Sequence, residues 1–163
     1  DRTRLRQVLG VQLQHAYLHG ALRVSELVDL YRSFYPNPRS GAELLELVDL
    51  GEQRRTVFEK LSGGQQQRLS IALALAGRPR VLILDELTTG LDPRARRHMW
   101  ATIEQLKQDG VTILLVSHDL HLVREYADHV VLLDKTVLAQ GNAESVFRTE
   151  QFDTVFGQGR EAQ

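Results

Sequence analysis

Two adjacent carboxylates, Asp85 and Glu86, close the apolar run Val81–Leu84. A strand in apolar surroundings delivers such a pair at a cost unless a cation or a proton task awaits them. Neighbouring strand side chains point to opposite faces, so different tasks are open to the two acids. One can hold a water on Mg2+ while the other polarises an attacking water. They can equally begin a loop and face solvent. Upstream, Ser62, Gly63 and Gly64 stand directly before an amphipathic run that begins at Gln65. A helix start there offers unpaired N–H groups and a positive dipole end, which suit an anion such as phosphate. The glycines let a bulky anion approach the backbone; the same residues also make a plain N-cap. His118 follows the run Val111–Val116, where an imidazole can bond a phosphate oxygen or simply a backbone carbonyl. Asp92 precedes Pro93, the pattern of a helix cap, so any other task for Asp92 is additional to capping. His118 and His121 have a metal-like spacing, but no further ligand residues accompany them, and no metal site is expected there.

The elements that must position these groups have two textures. From Val24 to Leu50 the apolar periodicity is helical, interrupted by YPNPRSG, after which Ser40 can cap a second helix. From Arg80 onward the runs VLILD, VTILLVS and HVVLLD predict strands buried on both faces of a parallel sheet. Helices are expected between them, over Pro93–Asp109 and Asp119–Ala127, with a turn at Asp134 and a short strand at Val137–Ala139. Strands alternating with helices predict an α/β fold, here with a helical subdomain inserted ahead of the strand-rich half. In such sheets ligand chemistry gathers at the carboxyl ends of strands, which selects Asp85-Glu86 and Ser117-His118.

The 163 residues are enough for one domain with a real core. The balance of 20 Lys+Arg against 21 Asp+Glu leaves a net charge of −1, so no overall field recruits nucleic acid. Arg94, Arg96, Arg97 and His98 could form a local basic patch or a solvated helix face. Cysteine is absent, which excludes disulfides and thiolate metal sites. The longest apolar runs are far too short to span a bilayer, and no signal-peptide pattern opens the chain.

The motifs occur in a fixed order: LSGGQQQRL at 61–69, VLILDE at 81–86, TTGLD at 88–92 and LLVSHD at 114–119. Together they resemble the ATP-binding domain of the ABC transporter family. LSGGQ resembles the family's signature loop, VLILDE its Walker B segment, GLD its D-loop and His118 its switch histidine. Gln14 is similar to the Q-loop glutamine, with Gln12 the second choice. The resemblance implies a P-loop NTPase-like parallel sheet core with an inserted α-helical subdomain. It also implies ATP and Mg2+ as cofactors and ATP hydrolysis that powers transport. Two such domains, as homo- or heterodimer, would enclose ATP head to tail. Ser62, Gly63, Gly64 and Gln65 would then face a γ-phosphate held by the partner. Asp85 would help hold Mg2+, Glu86 would be the general base, and His118 would contact the γ-phosphate. Gln14 would approach the metal and the attacking water, and Asp92 would reach across the dimer. A transmembrane permease would be the second partner, with the domain peripheral on the cytoplasmic face of the membrane. No nucleic-acid partner is expected. Residues 16–60 would form the helical subdomain, 61–134 the signature, Walker B, D-loop and switch core, and 135–163 a C-terminal tail.

The sequence departs from the family pattern in two places. It contains no G-x-x-x-x-G-K-[ST] loop to cradle phosphates. The expected chain is therefore a partial domain whose central P-loop strand is missing, with unpaired strand edges, an exposed apolar face and no ATP turnover alone. Leu87 also stands where the family usually has proline, which removes a φ restraint. Gly10–Ile113 resembles bacterial drug- and polymer-exporting ATPases, whereas SHDLHLVREYADHVVLLDKTVLAQG reads like the ATPases of importers. Two alternatives accompany the transporter reading: a soluble ABC ATPase outside transport, and a non-catalytic interaction fragment.

Overall fold

The computed structural model describes residues 8–12, 18–85 and 92–157. They form two compact units that divide between Val116 and Ser117. The first unit holds three strands, β1 (Leu9–Gln12), β2 (Val81–Asp85) and β3 (Thr112–Val116), in the order β1-β2-β3 and all parallel. Four helices belong to this unit: α1 (Val24–Arg32), α2 (Gly41–Leu47), α3 (Gly63–Ala74) and α4 (Pro93–Gln108). The fold is thus α/β with a parallel sheet, as the motif order predicts.

Local chemistry sets the helix ends. Ser40 caps α2 by accepting from the Glu43 N–H, as the sequence predicts, and α1 stops before the proline-bearing break. Helix α4 begins at the Asp92–Pro93 cap and ends before Gly110, whose φ of +82° is the left-handed turn that glycine adopts without strain. α3 buries Leu69, Ile71, Ala72, Leu73 and Ala74 around most of its circumference and forms the centre of the core. It packs against α1, α2 and β1. Strand β1, which the sequence reading did not assign, passes so close to the end of α3 that a Cβ on Gly10 would lie 2.4 Å from the Ala74 carbonyl oxygen. Glycine in a strand marks this kind of close backbone approach.

The sheet has one packed face and one open face. Leu82 and Leu84 are fully buried, and Gly10, Gln12, Ile113 and Leu115 share their face by register. Val11, Ile83, Asp85, Leu114 and Val116 share the other, where Leu114 remains 55% exposed. The expectation that VTILLVS is buried on both faces is therefore corrected. Among the described residues β3 pairs only with β2, which leaves its outer edge unpaired.

The second unit holds α5 (Leu120–Tyr126), the strands β4 (Val130–Asp134) and β5 (Thr136–Gly141), α6 (Ala143–Phe147) and α7 (Glu150–Phe156). HVVLLD is a strand, but it pairs antiparallel with β5 and exposes 66% of Leu133, so its placement in a parallel, doubly covered sheet is also corrected. The chain reverses at Lys135, whose φ is +58°, and this tight turn makes the next strand in sequence β4's neighbour. Phe147, Phe152 and Phe156 stack at 4.7 and 4.9 Å, with the Arg124 guanidinium 5.1 Å over the Phe147 ring.

Candidate functional site

The signature stretch forms the start of α3. Ser62 Oγ accepts from the Gln65 N–H at 3.3 Å, while Gln65 Oε1 accepts from the Ser62 N–H at 2.9 Å. This reciprocal capping box joins the two side chains singled out in LSGGQ. The N–H groups of Gly63 and Gly64, the first two helical residues, are not used by the box. Ser62 and Gly63 are exposed, and a Cβ on Gly63 would meet nothing within 4 Å. The arrangement is an open helix N-terminus with backbone donors available to an anion.

Asp85 ends β2 beside Val116, the last residue of β3. Its N–H donates to Gln12 Oε1 at 3.2 Å. Among the described residues its carboxylate has no ion-pair partner, and no group of three or more His, Cys, Asp or Glu gathers anywhere. A lone hard oxygen donor at a strand end fits a magnesium ion carried mostly by phosphates and water, and it does not fit a metal caged wholly by protein.

Asp92 caps α4 by accepting from the Arg94 and Ala95 N–H groups, each at 2.9 Å. The Ala95 N–H, assisted by that of Arg94 and by the Arg68 and Arg94 charges, holds the Asp92 carboxyl below its ordinary value against a smaller effect of desolvation. Arg68 lies on α3, so the signature helix presents a cation toward the residue that begins α4. The same guanidinium donates to Val48 O at 2.9 Å, Asp49 O at 3.0 Å and Asp49 Oδ2 at 3.2 Å. Sequence reasoning missed this node. Its only sequence signal is an arginine standing in the run that buries Leu69.

His118 is exposed in the second unit, two residues beyond β3, and the next residue, Asp119, caps α5. Gln14, Glu86 and Leu87, with Thr88 to Leu91 of the D-loop stretch, lie outside the described residues. Of the predicted site residues, the first unit therefore holds Ser62, Gly63, Gly64, Gln65, Asp85 and Asp92, all at element ends.

Comparison with known proteins agrees with this layout. The ABC transporter family description matches residues 1–89. The methionine import ATP-binding protein MetN of Mesorhizobium japonicum is 39% identical over 160 residues, covering 94% of this chain and 44% of the relative. The manganese transport system ATP-binding protein MntA of Synechocystis is 39% identical over 115 residues, covering 71% of this chain and 44% of the relative. Among solved structures, the dimeric post-hydrolysis state of the ATP-binding cassette MJ0796 bound to ADP and Pi aligns with a TM-score of 0.77 at 28% identity, covering 87% of this chain and 66% of that one. An ATP-binding subunit of an ABC transporter aligns with a TM-score of 0.80 at 27% identity, covering 93% and 65%. A parallel-sheet cassette with a capped signature helix and an acid at a strand end is the class that these features define. The chain belongs to the ABC transporter family. It spans less than half the length of the curated relatives it matches.

Proposed function

We propose that this chain is part of the ATP-binding, ATP-hydrolysing subunit of an ABC transporter and contributes the signature half of a shared nucleotide site. The observation that carries the reading is the exposed, capped start of α3, with the Gly63 and Gly64 donors outside its capping box, in a chain of this family. In this reading those N–H groups bind the γ-phosphate of an ATP held by a second ATP-binding domain. The capping box keeps the Ser62 hydroxyl oriented at that helix end, and its proton remains able to donate. Asp85 holds Mg2+ through its carboxylate, Glu86 takes the proton of the attacking water, and Gln14 and His118 orient water and γ-phosphate. Asp92 faces the partner domain from the start of α4. When bound, magnesium neutralises charge on the transferring phosphoryl group. The catalytic contribution of the chain is positioning and electrostatic stabilisation.

The family resemblance and the relatives' names support a permease as the membrane partner and a peripheral, cytoplasmic location. Among the described residues no helix is long and apolar enough to cross a membrane. The names of MetN and MntA favour the importer-like signal in the C-terminal stretch over the exporter-like one. The transported substrate belongs to those relatives. We keep the partition into a helical subdomain at 16–60, a motif core at 61–134 and a tail at 135–163. The open edge of β3 is where a further central strand would pair.

Because the 163 residues contain no phosphate-cradling G-x-x-x-x-G-K-[ST] loop, the purified chain is expected to show no Mg·ATP turnover alone. It is expected to accelerate hydrolysis by an ATP-loaded cassette domain of the family. Turnover by the chain alone that Glu86→Gln abolishes would overturn this division of labour.

A further inference from the structure

Gln12 is the one fully buried glutamine among the described residues, 1% exposed on the packed face of a sheet that is otherwise leucine, isoleucine and glycine there. A primary amide in such a place costs free energy unless it is bonded. It stands at the last residue of β1, paired in register with Leu84, and its Oε1 accepts the N–H of the following residue, Asp85, at 3.2 Å. The side chain thus reaches past the end of its own strand to hold the backbone of the next.

We infer that Gln12 is a positioning residue for Asp85: it fixes the end of β2 and thereby the direction in which the carboxylate is presented. The metal-holding part of this inference rests on the reading of Asp85 proposed above. The placement follows from geometry. Asp85 emerges on the face opposite Gln12, so the amide cannot crowd a ligand at the carboxylate. A backbone restraint one bond from its Cα still limits how far the side chain can swing. A metal with a single protein carboxylate depends on that aim more than a caged one does, because no second protein donor corrects it. The role differs from that of a Q-loop glutamine, the second choice that the sequence left open for Gln12. Here the Oε1 atom is engaged with protein backbone.

The test uses Gln12→Met, which conserves volume but has no carbonyl, with Gln12→Leu as a second variant should methionine fail to fold. Amide hydrogen exchange at Asp85 reads the contact without any nucleotide. Broadening of the Asp85 resonance by Mn2+ in the presence of ATP reads the metal. The expected result is about tenfold faster Asp85 exchange with neighbouring β2 amides unchanged, and about tenfold more Mn2+ needed for half-maximal broadening. Unchanged exchange at Asp85 would overturn the contact. Faster exchange with an unchanged Mn2+ midpoint would overturn the positioning role. Absence of Mn2+ broadening at Asp85 in the parent protein would sink the metal reading itself, and the metal part of the inference with it, while the exchange result still decides the contact.

Discussion

Arg68 on the signature helix holds the turn that ends α2 through Asp49: one guanidinium nitrogen bonds the Asp49 carbonyl at 3.0 Å and its carboxylate at 3.2 Å. Asp49 sits at φ +53°, with its N–H on Glu46 O and the Leu50 N–H on Leu45 O. This is the left-handed helix stop usually taken by glycine. Thr102 of α4 donates to the next exposed carbonyl of the same helix end, Leu47 O, at 2.9 Å. The carboxyl end of α2 is therefore held by α3 and α4, the two helices whose amino ends carry Ser62 and Asp92.

Arg68→Met should lower stability by about 2 kcal/mol, because it strips charge-assisted donors from a side chain only 11% exposed. Urea unfolding measures it. Asp49→Gly should be much milder, since the loss of one exposed carboxylate is offset by relief of the left-handed backbone. A larger loss for Asp49→Gly than for Arg68→Met would contradict this account of the node.

The Asp92 cap makes stability depend on acid. Its folded carboxyl binds a proton more weakly than the unfolded chain does. The cap therefore contributes fully above the ordinary aspartate value and is lost as pH falls through the depressed one. Asp92→Asn should lower the melting temperature at neutral pH, and the gap from the parent should close in strong acid. A gap independent of pH would show that the charge has no role.

The two faces of the sheet should respond differently to substitution. Leu84→Ala, at a fully buried position, is expected to cost about 2–5 kcal/mol. Leu114→Thr, on the open face, should stay within about 0.5 kcal/mol. Gly10→Ala, which sets a methyl against the Ala74 carbonyl, should cost about 1–3 kcal/mol. Equal costs at Leu84 and Leu114 would mean that both faces are covered.

Punctuation and motif order were readable in the sequence because they rest on local chemistry. Ser40, Ser62, Asp92 and Asp119 cap the helices that their types and positions announce. Strand pairing was less readable. HVVLLD carries the same apolar texture as VLILD, and only the reversal at Lys135 decides that it pairs antiparallel. Strand β1 escaped notice because its four residues include a glycine and a glutamine, both of which are explained by tertiary contacts: Gly10 by the approach of α3 and Gln12 by Asp85. Arg68 reads as an ordinary polar position on a helix until its partners, nineteen and twenty residues away in sequence, are folded against it.

Gly63→Val tests the central claim most directly. A side chain there meets no protein atom within 4 Å, so it occupies the space in front of the helix end while the fold is expected to stay within about 0.5 kcal/mol of the parent. The measurement is ATP hydrolysis by an ATP-loaded cassette domain of the family, with and without the chain. The parent chain should accelerate it and Gly63→Val should not, at equal folded concentrations. Full acceleration by Gly63→Val would contradict the assignment of this helix start to a partner's phosphate.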